Sequence, residues 1–223
     1  MSKEKIKYSF IIPTYNSEKT IVRCLDSILN QTNHDYEILI IDDGSTDNTL
    51  NIVSKFVNKN NKIRIKKNRH KGISETRNIG ICSSIGDYII FVDSDDYVNS
   101  ELLNVLNEFD DDIIKFSVFC NNGSDRFVQP KFKSISGKGC LKLFCNKGNI
   151  FATPWGYAFK KSLFLDNKLY FLKEIELNYI ESRNIRVKRN ASGVIEVMPL
   201  EEYIVGVLAG EMPIYFDSEA LKA

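Results

Sequence analysis

Three carboxylates fall within four residues in Phe91-Val92-Asp93-Ser94-Asp95-Asp96. An apolar segment that reads as a buried strand leads into them, so the acids stand at the mouth of a sheet. Like charges this close repel unless a positive group sits among them. A divalent cation carrying a bound diphosphate resolves the conflict, because hard oxygen ligands suit Mg²⁺ or Mn²⁺. The plainer alternative is an acidic loop that caps the next helix through Asp96, Asn99 or Ser100. Three further segments bear on the choice. One strand ends in Pro13-Thr14-Tyr15-Asn16 and another in Ile41-Asp42-Asp43-Gly44-Ser45-Thr46-Asp47. Gly72-Ile73-Ser74-Glu75-Thr76-Arg77-Asn78-Ile79-Gly80 opens a helix that carries a basic residue. Taken singly, Asp-Gly-Ser is a turn signal and Arg77 a solvated helix residue. Their order and spacing favour one shared site. The basic run Lys66-Lys67-Asn68-Arg69-His70-Lys71 reads as a solvated loop rather than a phosphate clamp.

These segments need a frame to hold them. Residues 8–12 form a short apolar run ended by Pro13, and residues 37–41, the pair Ile63 and Ile65, and residues 88–92 are three more strands. A first helix is expected from Ser17, as its cap, to about Asn30, with Ile21, Val22, Leu25, Ile28 and Leu29 on one face. A second follows Asp47 or Asn48 through Leu50, Ile52, Val53, Phe56 and Val57, and a third spans about 74–84. Wholly apolar strands separated by helices argue for a mostly parallel sheet covered on both faces, a doubly wound α/β domain. Right-handed crossovers bring the loops after the strands to one edge, where ligands bind.

Beyond residue 100 the pattern loosens. Residues 113–120 are strand-like, Asn121-Asn122-Gly123 turns into Arg126–Val128, and 137–145 and 161–167 read as helices. Further on, Ile175, Leu177 and Tyr179 alternate with polar residues, as do Ile185 with Val187 and Ile195 with Val197. That is the habit of exposed antiparallel strands. Pro199 then opens a helix of Leu200, Tyr203, Ile204, Val207 and Leu208. The expected boundary divides residues 1–173 from 174–223, without a linker of Gly, Ser or Pro.

Composition narrows the classes. The 223 residues are 43% hydrophobic and 26% charged, which excludes wholesale disorder and gives one domain with room for part of a second. Thirty Lys+Arg against 29 Asp+Glu leave a net charge of +1, without the basic surplus that holds long nucleic acid. No apolar run approaches the roughly 18 residues of a membrane span. Residues 1–5 lack the apolar core of a signal peptide. Cys24, Cys82, Cys120, Cys140 and Cys145 form no Cys-x-x-Cys pair, and read as free thiols in a reducing cytoplasm. Only His34 and His70 are present, which argues against histidine-based metal chemistry.

From residue 8 to about 171 the chain resembles the family 2 glycosyltransferases, GT-A fold enzymes that use nucleotide-diphosphate sugars. The resemblance rests on Pro13-Thr14-Tyr15-Asn16, Leu29-Asn30-Gln31-Thr32, Asp42-Asp43-Gly44-Ser45-Thr46-Asp47, Arg77-Asn78-Ile79-Gly80 and Asp93-Ser94-Asp95-Asp96. It implies a UDP-sugar donor and a glycan or lipid-linked acceptor, and it leaves room for peripheral membrane association. Carried over by position, Pro13, Thr14 and Tyr15 would line the nucleotide pocket. Asp43 would hydrogen-bond the base, usually uracil, and Arg77 and Ser94 would lie near the nucleotide. Asp93 and Asp95 would form the Asp-x-Asp element that holds Mn²⁺ or Mg²⁺, with Asp95 the more direct ligand. The metal would neutralise the leaving diphosphate.

Thr153-Pro154-Trp155-Gly156-Tyr157-Ala158-Phe159-Lys160-Lys161 and Leu169-Tyr170-Phe171 resemble the family's acceptor side, where Trp155 either stacks on a sugar or packs in the core. Inverting members then carry a Glu-Asp pair whose Asp is the general base. Here the sequence runs Leu172-Lys173-Glu174-Ile175-Glu176-Leu177-Asn178-Tyr179, without that pair. Nothing in the spacing of Glu174, Glu176 or Glu181 supports a substitute. The expectation is impaired transfer or, at the limit, a module that binds nucleotide sugar without chemistry.

From about Ile175 the chain resembles a second family, stage II sporulation protein D, lytic transglycosylases of peptidoglycan related to amidase enhancers. The motif is Val197-Met198-Pro199-Leu200-Glu201-Glu202-Tyr203-Ile204-Val205-Gly206-Val207-Leu208-Ala209-Gly210-Glu211-Met212-Pro213, continued by Ala220-Leu221-Lys222-Ala223. By this resemblance Glu211 is the catalytic acid, which would protonate a glycosidic oxygen inside a cleft. Two families meet without a linker, each cut where its site would be completed, and their usual compartments conflict. The expectation is a truncated fusion rather than a two-function enzyme.

Overall fold

The computed structural model describes residues 6–120, 126–128, 154–171, 184–189 and 194–199. β1 (Tyr8–Thr14), β2 (Tyr36–Asp42), β3 (Ile63–Lys67) and β4 (Tyr88–Phe91) alternate with α1 (Ile21–Leu29), α2 (Thr49–Lys59) and α3 (Ile73–Ser83). Then come α4 (Leu102–Leu106), β5 (Ile113–Lys115), β6 (Val118–Cys120), β7 (Arg126–Val128), β8 (Tyr157–Lys160) and α5 (Lys161–Asp166), followed by β9 (Asn184–Arg189) and β10 (Val194–Pro199). Six strands form one sheet in the order β3-β2-β1-β4-β8-β5. β1 is parallel to β2 and β4, and β2 to β3, whereas β8 is antiparallel to β4 and β5. The mostly parallel α/β sheet expected from the sequence is the one observed.

β1 and β2 are buried at every position, as strands covered on both faces must be. Phe10, Ile12, Ile38 and Ile40 share a core with Ile21, Leu25 and Ile28 of α1 and with Leu103 and Leu106 of α4. Ile11, on the opposite face, meets Gly80 of α3. Three local expectations need correction. The helix expected from Ser17 starts at Ile21, because the Ser17 carbonyl closes a turn with the N–H groups of Thr20 and Ile21 while its hydroxyl bonds Tyr15 O and the Ser94 hydroxyl. Val22, expected on the buried face, is 40% exposed. Residues 113–120 are not one strand but two, β5 and β6. β8 has no counterpart in the sequence reading, since its two buried positions, Ala158 and Phe159, are too few to set a period.

Met1–Val118 with Trp155–Tyr170 form one compact unit, and Phe119–Pro154 with Phe171–Ala223 form another. In the second, β9 and β10 pair antiparallel, with Val194 opposite Arg189 and Pro199 opposite Asn184, as the alternation at 185–187 and 195–197 requires. β6 and β7 make a separate two-stranded sheet. The helices expected over 137–145 and after Pro199, the strand over 175–179, the boundary near Lys173 and Glu211 lie outside the described residues. Among the described residues, no helix is long and apolar enough to cross a membrane.

Candidate functional site

The chain runs outward from β1 to β3, then returns to place β4 on the other side of β1. Open α/β sheets bind ligands where the strand order reverses in this way, beyond the carboxyl ends of the strands. Pro13 helps to open that point. Ile11 O accepts from Val92 N and Thr14 O accepts from Asp43 N, so the backbone of odd positions in β1 faces β4 and that of even positions faces β2. The last β1 residue paired with β4 is Ile11. Proline therefore occupies a position whose missing N–H has no strand to meet. A cavity of about 400 Å³ lies here, lined by Pro13, Thr14, Tyr15, Asp43, Ile73, Thr76, Arg77, Asp93 and Ser94.

Arg77 is not a solvated helix residue. Its side chain is 6% exposed, with Nη2 3.6 Å from Asp93 Oδ1. α3 can bring it there because Gly80, one turn later, lets the helix lie against Ile11. Burial raises the Asp93 carboxyl above its ordinary range; Arg77 opposes the shift and Asp95 adds to it. Asp96 is pushed up to about 6, by burial first and then by Asp93 and Asp95, against the pull of Arg23. The backbone of this acidic loop is tied down. Asp96 N–H bonds Asp93 O at 3.0 Å, the Arg23 guanidinium donates to Asp95 O, and the Cys24 thiol donates to Asp93 O at 3.7 Å. The Ser94 and Ser17 hydroxyls lie 2.7 Å apart.

Asp42 and Asp43 do different work. Asp42 is buried and accepts from Gly44 N and Ser45 N at 3.1 Å each, shaping the turn. Asp43 accepts from Asn68 Nδ2 at 3.0 Å, Lys71 N at 2.8 Å and Gly72 N at 2.9 Å. One carboxylate on the cavity wall thus anchors the loop that leads into α3. Lys66 and Lys67 end β3, and Arg69, His70 and Lys71 lie on that loop; all five are exposed.

Seven residues singled out from the sequence, Pro13, Thr14, Tyr15, Asp43, Arg77, Asp93 and Ser94, meet on this one wall. Asp95 does not line it and is exposed. Sequence reasoning missed Ile73, four residues before Arg77 on the same helix face, and Thr76, the residue next to it. Trp155 is half-buried and bridges to Phe91. Among the described residues, no three His, Cys, Asp or Glu side chains are grouped to hold a metal by themselves. Two carboxylates, Asp93 and Asp95, nevertheless fit Mg²⁺, which is commonly held by one or two carboxylates with substrate phosphates completing the shell.

Glycosyl transferase family 2 matches residues 9–166, and the family Stage II sporulation protein matches residues 188–223. A poly(ribitol-phosphate) beta-glucosyltransferase of Bacillus spizizenii is 35% identical over 185 residues, 77% of this chain and 28% of that protein. The poly(ribitol-phosphate) beta-N-acetylglucosaminyltransferase TarS of Staphylococcus aureus is 33% identical over 178 residues, 77% of this chain and 30% of its own length. The crystal structure of TarS 1–349 in complex with UDP-GlcNAc matches with a TM-score of 0.63 at 31% identity, covering 75% of this chain and 49% of that one. The chain therefore spans under a third of either curated relative.

Proposed function

This chain belongs to glycosyl transferase family 2, and from that premise we propose that the cavity between β1 and β4 binds a uridine-diphosphate sugar for transfer to an acceptor. The observation that carries the reading is Arg77, a guanidinium 6% exposed in the cavity wall and 3.6 Å from Asp93. A cation in a low-dielectric wall attracts a diphosphate more strongly than one in water. Thr14 and Tyr15 flank the nucleoside. Asp43 spends three acceptor positions on its loop, and a carboxylate has about four, so one serves a base N–H. Asp93 and Asp95 hold Mn²⁺ or Mg²⁺. When bound, that ion offsets the charge that builds on the leaving diphosphate.

The complex of TarS with UDP-GlcNAc supports the donor class. Both curated relatives are named for poly(ribitol-phosphate), which makes a phosphate-bearing cell-wall polymer the acceptor to assay first. We assign the reaction to the cytoplasm, on the free-thiol reading of the cysteines. The missing Glu-Asp pair after Phe171 supports slow transfer, by the roughly 10²–10⁴-fold that a general base contributes. A nucleotide-sugar binding module without turnover is the limit of that reading.

Calorimetry of the full chain with UDP tests the site, in Mn²⁺ and in EDTA. The expected result is binding that weakens at least about tenfold in EDTA or in Asp95→Ala, as loss of a phosphate-bridging ion implies. Metal-independent binding removes the metal role, and no binding in either condition refutes the site. The match of residues 188–223 supports a second reading, in which Glu211 is the acid of peptidoglycan cleavage. Cleavage of glycan strands that is lost in Glu211→Gln would establish it.

A further inference from the structure

We propose that His70 is a positioning residue for the nucleoside half of the donor, its ring buttressing Tyr15 so that the tyrosine presents one fixed face to the base. The inference rests on the UDP-sugar reading of the cavity. Tyr15 lines that cavity but is 46% exposed, and an exposed tyrosine alone samples several rotamers. His70 restrains it. The two ring centroids are 4.4 Å apart with the planes tilted by 35°, a van der Waals contact just short of the roughly 4.5–7 Å usual for aromatic pairs.

The backbone is arranged to put the imidazole there. His70 has φ +46, a left-handed conformation unfavourable for a residue with a Cβ. Its flanks are fastened. Asn68 N–H bonds Asp42 O at 2.7 Å, while Lys71 and Gly72 donate their N–H groups to the Asp43 carboxylate at 2.8 and 2.9 Å. His70 Nδ1 lies 3.2 Å from Asp43 O. Gly44, at φ +84, makes room, since a Cβ there would meet His70 N at 3.3 Å. A loop that merely crossed solvent would not need these ties to the cavity wall. Their consequence is that Tyr15 is ordered before a ligand arrives, which removes part of the entropy cost of binding.

The test is calorimetry on the full chain with wild type, His70→Ala and His70→Phe, using UDP and inorganic diphosphate as separate probes in Mn²⁺. Loss of a ring pair and of a pre-ordered side chain should weaken UDP by about three- to tenfold in His70→Ala. Diphosphate, which has no base, should bind both variants as it binds wild type, and His70→Phe should restore most of the UDP affinity. His70→Ala that binds UDP like wild type overturns the inference. So does equal loss of UDP and diphosphate, or a phenylalanine no better than alanine. A wild-type chain that binds diphosphate but no UDP refutes the nucleotide-sugar reading itself, and this inference with it.

Discussion

Replacing Gly80 by alanine sets two effects against each other. In a helix interior the change gains about 1 kcal/mol of propensity. Against it stands the Cβ, which would lie 2.4 Å from Ile11 Cγ2 and 3.1 Å from Ile11 Cδ1. Carbon atoms prefer roughly 3.5–4.0 Å, so the closest approach is more than about 1 Å too short. Ile11 is fully buried in the central strand and cannot swing out. Overpacking of this kind costs about 1–3 kcal/mol, and the depth of the overlap puts it in the upper half of that range. The net expectation is a loss of about 1–2 kcal/mol, with α3 pushed off the sheet. Thr76 and Arg77 lie four and three residues earlier on the same face, so the shift reaches the cavity and should weaken UDP binding severalfold. Urea denaturation followed by circular dichroism measures the first effect, and calorimetry the second. Adding Ile11→Ala should recover part of the loss, a coupling of at least about 1 kcal/mol. A Gly80→Ala chain stabilised by the propensity gain would refute the packing argument. One destabilised yet binding UDP normally would refute the link from helix seat to Arg77.

Glu37 accepts from Ser9 Oγ and Ile85 N at 2.7 Å each, and from Arg64 Nε and Nη2 at 2.8 and 2.5 Å. Glu37→Gln turns one acceptor into a donor facing the guanidinium. Because Arg64 is 41% exposed and can regain water, the loss should be about 2–3 kcal/mol rather than that of a fully buried pair; a change under about 0.5 kcal/mol in thermal melts would contradict it. Iodoacetamide at pH 8 should alkylate exposed Cys82 and spare Cys24 by at least about 100-fold. Burial pushes the Cys24 thiol up to about 12, so it stays protonated at that pH; equal labelling in peptide maps would disprove the buried placement.

The sheet's central strands were legible in the sequence because parallel strands covered on both faces read as near-continuous apolar runs. β1 and β2 are buried at every residue, and the runs around Phe10 and Ile38 announce this without alternation. Most of the candidate site was legible for a related reason. Loops after parallel strands share one edge, so Tyr15, Asp43 and Asp93 could be assigned to one neighbourhood from chain order alone.

What tertiary structure decided is what depends on residues remote in sequence. Taken singly Arg77 reads as a solvated helix residue, and although the order of the motifs assigned it to the site, its burial beside Asp93 depends on Gly80 being seated on Ile11. Ser17 has the chemistry of a helix cap, yet its hydroxyl meets Ser94, 77 positions away. Asp43 carries no local sign that it will hold the backbone of Lys71 and Gly72, nor Tyr15 that its ring will meet that of His70. Sequence patterns report the periodic burial of a segment, which is a local property. The partner of a polar or aromatic side chain depends on where the packed sheet places distant loops, and only the folded chain sets those distances.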